Sequence, residues 1–196
     1  MADVSEALVR EFFESRGFLV RQHRKFIAPA AAEEEEADFF VLNPRAVEGG
    51  EPPPFVLSAG DLARVKAAVV AVKAWHSETF SAALLAQEPA VVRFADAAVH
   101  VRSLLAFSFA GPALKVLVIS SLPRAKPARD ESLAALRAAG VEAVLPFRAV
   151  LAGLVERVEA NRNYARSDVL QLLRILKQYD LLKDPQLELF RARRRK

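Results

Sequence analysis

Apolar residues recur at helical spacing at the start of the chain. Ala7, Leu8 and Phe12, flanked by Val9 and Phe13, share one side of a helix predicted over residues 4–16, with Asp3 or Ser5 as N-cap and Gly17 as its stop. Phe18, Leu19 and Val20 follow at once. They give way to Arg21, His23, Arg24 and Lys25 before Phe26 and Ile27, which suits a strand leaving the core for solvent and ended by Pro29. Residues 30–36 are an acidic Ala/Glu linker. Asp38 then opens Phe39, Phe40, Val41 and Leu42, a second strand closed by Asn43 and Pro44.

Residues 45–60 turn to Gly, Pro and Glu and predict a mobile surface insertion. The next segment fits two periods: Leu62, Val65, Val69 and Val72 lie at helical spacing, whereas Val69, Val70, Ala71 and Val72 read as a buried strand. The expectation is a short helix over 61–67 and a third strand over 68–75. Downstream come a helix over 96–107, a fully apolar strand over 114–120 and a proline-punctuated loop over 121–128. A helix capped by Asp130 and stopped at Gly140, a strand over 141–145 and a helix over 148–160 follow. The last helix is capped by Ser167, carries Val169, Leu170, Leu173, Leu176 and Tyr179, and ends near Asp184 and Pro185. Helix, three strands, helix, strand, helix, strand is an α/β order whose later strands should be parallel, joined by crossover helices. The expected division is an α/β domain over 1–160 and a helical extension with a basic tail over 161–196.

The 196 residues, 53% of them hydrophobic, suffice for one buried core. The absence of cysteine excludes disulfides, thiolate zinc sites and cysteine nucleophiles, and fits a reducing cytosol. No apolar run reaches the ~18–20 residues of a membrane span, and the first residues carry acids where a signal peptide would be positive. A soluble, cytoplasmic protein is expected. The net charge of +4 resides in the tail: Arg191, Arg193, Arg194, Arg195 and Lys196 leave 23 bases against 24 acids elsewhere. No GxxxxGK[ST], GxGxxG, HExxH or G-x-S-x-G pattern occurs, which disfavours the usual nucleotide sites, zinc peptidases and nucleophile-elbow hydrolases.

Glu6 lies eleven residues before Gly17 in the pattern Glu6-x-x-Val9, then Gly17-Phe18-x-Val20, and Asp38 begins the next strand. This arrangement resembles the restriction-endonuclease-like, or PD-(D/E)XK, nuclease superfamily, especially its Mrr-like branch. There a first-helix glutamate precedes a Gly-aromatic-x-aliphatic strand, an aspartate follows on the second strand, and a third strand carries a carboxylate and a lysine two residues apart. The resemblance covers residues 5–75 and continues in order through Leu145. It implies a mixed sheet flanked by helices, extra C-terminal helices, and DNA as partner. It also implies Glu6 and Asp38 as Mg²⁺ ligands and Lys73, with them, as catalytic. Converging carboxylates would hold Mg²⁺, which polarises a phosphodiester and acidifies an attacking water. The pattern breaks at Ala71, where a methyl group stands in place of the second acid.

Each residue also has a plainer reading: Glu6 as an acid in a first helical turn, Asp38 as the end of an acidic linker, Lys73 as a snorkelling surface lysine. His76 with Ser77 and Glu78, or Glu33 to Glu36, could supply a replacement ligand. Arg21, Arg24 and Lys25, with His23, form a basic ridge suited to phosphate contact. The expected function is nucleic-acid binding on a nuclease-like scaffold with Mg²⁺-dependent cleavage weak or lost. The alternative is a noncatalytic assembly module that forms a homodimer through apolar helices over 149–182, with Leu187, Leu189 and Phe190 beyond them.

Overall fold

A computed structural model describes residues 2–22, 37–47, 49, 51–73, 76 and 79–182. The first helix, α1 (Ala2–Glu14), buries Val9, Phe12 and Phe13. It starts earlier than predicted, so Asp3 and Ser5 lie inside it and neither is its cap. Its end follows from Gly17, whose φ of +84° only glycine adopts cheaply. Gly17 N–H donates to Glu14 O and Phe18 N–H to Phe13 O, and the Phe18 ring meets Phe13 edge-on at 5.2 Å.

The strands β1 (Leu19–Gln22), β2 (Phe39–Leu42) and β3 (Ala67–Lys73) form an antiparallel meander, and β4 (Leu114–Ile119) and β5 (Ala143–Pro146) add to β3 in parallel. The sheet order is therefore β1-β2-β3-β4-β5, an α/β mixed sheet with the predicted parallel crossovers. The ambiguous segment resolves as a 3₁₀ turn (Asp61–Arg64) followed by β3. Ala67, Ala68, Val69, Val70 and Ala71 are buried on both faces, which a helix with one solvent side would not require.

Helices cover both faces. On one, α1, α6 (Phe147–Arg157) and α7 (Asp168–Gln178) pack over Phe39, Val41, Val70, Val116, Val118 and Leu145. On the other, α2 (Ala82–Gln87), α3 (Pro89–Ala95), α4 (Ala97–Ala106) and α5 (Lys126–Ala138) accompany Phe40, Val69, Ala71, Leu117 and Val144. The sequence reading assigned no element to the α2 and α3 region. α5 starts at Lys126, so Asp130 lies inside it and is not its cap. Ser167 does cap α7, its Oγ accepting from Leu170 N–H at 3.2 Å. Leu170 and Leu173 of α7 pack on the same core as α1 and α6.

Within the surface insertion expected over 45–60, residues 55–57 are anchored to the sheet. Val144 N–H donates to Phe55 O at 2.7 Å and Leu57 N–H to Val144 O at 2.8 Å, so this segment lies along the outer edge of β5. Satisfying an edge strand's free donors and acceptors outweighs the loop-like composition. Leu57 is 2% exposed, and Arg137 stacks on Phe55 at 4.1 Å.

Candidate functional site

Strand polarity decides which residues meet. β1 runs parallel to β3, and Lys73, Ile119 and Pro146 stand in register. Consequently the end of β1, the start of β2, the ends of β3 to β5 and the N-termini of α1, α5 and α6 all gather at one end of the sheet. This carboxyl end is where open α/β sheets usually place ligands.

Asp38 sits there as the residue before β2. Its N–H donates to Val70 O at 2.9 Å, and its Oδ2 accepts from Val72 N–H at 2.7 Å. The carboxylate thus adds one bond to the β2–β3 ladder beyond Phe39. Ala71 and Lys73 share one sheet face by the alternation of β3, while Asp38, just before the paired residues of β2, lays its carboxylate against the β3 backbone at Val72. Ala71 is fully buried, and its methyl group fills the position where the resemblance implies an acid. Lys73 is half-buried and makes no ion pair or hydrogen bond among the described residues.

Glu6 comes from α1, on the opposite face, and its Oε2 accepts from Gln22 Nε2 at 3.0 Å. Beside it, Ser5 Oγ shares a 2.9 Å hydrogen bond with His76 Nε2, and the His76 ring meets Phe147 edge-on at 4.6 Å. His76 is therefore a tie between α1, the exit of β3 and the start of α6. Sequence reasoning missed its partners and missed Gln22. Ser5 and His76 are separated by 71 residues, so no local signal could pair them.

Among the described residues no three Asp, Glu or His side chains converge as metal donors. The donor set fits Mg²⁺ poorly: Ala71 offers nothing, and Asp38 and Glu6 each spend an oxygen on a protein donor. Of the expected phosphate contacts, Arg21 extends to Phe107 O at 2.8 Å, whereas Arg24 and Lys25 lie outside the described residues. His23, Glu33 to Glu36, Trp75, Ser77, Glu78 and the basic tail lie outside them as well.

Around the same end stand cations to which the sequence reading gave no role. Arg124 follows β4, Lys126 and Arg129 lie in the first turns of α5, and Arg148 lies in the first turn of α6. All four are exposed and have no ion-pair or hydrogen-bond partner through their side chains among the described residues.

Together these features define an α/β protein with a mixed five-stranded sheet, flanked by helices, whose carboxyl end gathers polar and cationic groups from several elements. No described helix is long and apolar enough to cross a membrane. No family model, curated protein or solved structure significantly matches the chain.

Proposed function

We propose that the chain binds nucleic acid on a nuclease-like scaffold in which metal-dependent phosphodiester cleavage is weak or lost. The supporting observation is the β2–β3 junction. Asp38, Ala71 and Lys73 lie together at the carboxyl end of the β2–β3 pair, yet Ala71 is a buried methyl and the Asp38 carboxylate holds Val72 N–H. A carboxylate with one oxygen on a backbone donor, and no second acid on the neighbouring strand, is a weak anchor for Mg²⁺, which is usually held by one or two carboxylates together with substrate phosphates. The cations around that end would still meet phosphate oxygens, which is an electrostatic task that needs no metal.

The test is DNA and RNA binding against salt, followed by plasmid nicking with and without Mg²⁺. Binding that weakens with salt and is unaccompanied by nicking is the expected result. Nicking abolished by Asp38→Ala or Lys73→Ala would show a surviving metal site and overturn the loss of cleavage.

A second reading, the noncatalytic assembly module, rests on α7. Leu172, Ile175 and Tyr179 form an exposed apolar stripe, 57%, 41% and 72% accessible, on the side away from Leu170 and Leu173. Under this reading the chain sediments as a dimer, Leu172→Glu returns it to monomer, and nucleic acid is not bound.

A further inference from the structure

We propose that Lys73, Arg124, Lys126, Arg129 and Arg148 form a phosphate-binding rim that holds the backbone of a nucleic-acid strand along the carboxyl end of the sheet. The inference deepens the nucleic-acid reading and rests on it. Three strands deliver these residues to one end of the sheet, Lys73, Lys126 and Arg129 beside one face and Arg148 beside the other. Lys73, Ile119 and Pro146 are in register, so the chain leaves β3 at Lys73, leaves β4 toward Arg124 and Lys126, and leaves β5 directly into Arg148. Adjacent strands lie ~4.8 Å apart, so β3 and β5 end about 10 Å apart and the cations that follow them line both sides of that edge.

Many cations elsewhere are used internally. Arg16 bonds Phe12 O and Gly153 O, Arg21 bonds Phe107 O, Arg64 pairs with Asp61, Lys115 bonds Ala95 O, and Arg174 bonds Ala160 O. The five rim residues have no such contact among the described residues. Their placement also works against the free protein. Lys126, Arg129 and Arg148 occupy opening turns of helices that carry no acid there, where the helix dipole disfavours positive charge. Asp130 and Glu131 on α5, with Asp38 and Glu6 at the same end, reduce the positive surplus of the five cations without reversing it among the described residues. An anion against the rim would relieve that repulsion. Neither the loop after β4 nor α5 exposes a large hydrophobic side chain, so that stretch of the rim lacks the apolar wedge of a lipid-binding surface.

The experiment uses the full chain and fluorescein-labelled 20-mers of single- and double-stranded DNA and of RNA, titrated across KCl concentrations. Wild type should bind with a log–log salt slope that falls by about one for each rim cation removed. R124E/K126E/R129E should lose at least about tenfold in affinity at ~50 mM salt and gain a few degrees in Tm, because the added acids suit the helix dipole. R124Q/K126Q/R129Q should show the same direction with a smaller loss, and Arg148→Glu a partial one. Arg45→Glu, remote from this end, should bind as wild type does. Rim variants that bind like wild type would overturn the rim and leave the nucleic-acid reading standing. A wild type that binds none of the oligonucleotides would overturn both. Binding to phosphatidylglycerol vesicles but not to DNA or RNA would also overturn both.

Discussion

Asp38, the residue before β2, carries a structural task. Its carboxylate replaces a missing strand partner for Val72 N–H, so Asp38→Ala leaves a half-buried amide unsatisfied and is expected to cost about 1–3 kcal/mol in urea unfolding. Asp38→Asn keeps an acceptor and should cost less. The glycine at Gly153 is required for a different reason. A Cβ there would come within 2.8 Å of the Phe12 ring, which is fully buried, as well as against the Arg16 guanidinium. That guanidinium is itself held by Phe12 O and Gly153 O and lies over the Phe12 ring at 3.9 Å, so it has few other places to go. Gly153→Ala should therefore destabilise by about 1–3 kcal/mol, measured by thermal or urea denaturation.

At the scale of elements, the edge segment beside β5 and the last helix make opposite demands. Phe55 O and Leu57 N–H pair with Val144, so the amides of Leu57 and Val144 should exchange slowly with deuterium. Phe55→Ala, by removing the ring on which Arg137 stacks, should speed that exchange while leaving β3 amides protected. On α7, Leu173→Ala should reduce stability because Leu173 packs on the core. Leu172→Ala should change it by less than about 0.5 kcal/mol in a monomer. Apolar spacing placed α1, α5, α6 and α7 with shifted ends, and the unbroken apolar runs placed β2, β4 and β5. The 3₁₀ turn and β3 were undecidable from periodicity, because a strand buried on both faces has no polar alternation to distinguish it from helix. The edge pairing of residues 55–57 was invisible, since Gly and Pro around it read as loop and its partner lies some 90 residues away.

For the molecule as a whole, His100 couples stability to pH in the mildly acidic range. Its imidazole lies between α4 and the start of β4, with Nδ1 buried and without a hydrogen-bond partner among the described residues. Burial pulls its pKa below the ordinary 6.5, aided by Lys115 and opposed by Glu142 and the Ala113 backbone. The folded state thus favours neutral His100. Its contribution is fully present above pH 6.5 and is lost as pH falls from there through the lower folded value. Unfolding free energies at pH 7.5 and 5.5 should show a loss on acidification that is smaller in His100→Gln.

Sequence alone determined the α/β class, the order of its principal elements and the lack of an acid at position 71, because each depends on side-chain type and local spacing. Tertiary structure decided that Glu6 meets Gln22, that Ser5 meets His76, that Asp38 spends its carboxylate on Val72 N–H, and that Arg124, Lys126, Arg129 and Arg148 surround the end of the sheet reached by Lys73. The physical reason is strand polarity. Only once β1 to β5 pair in their particular directions do residues far apart along the chain arrive at the same edge, and no local pattern encodes that meeting.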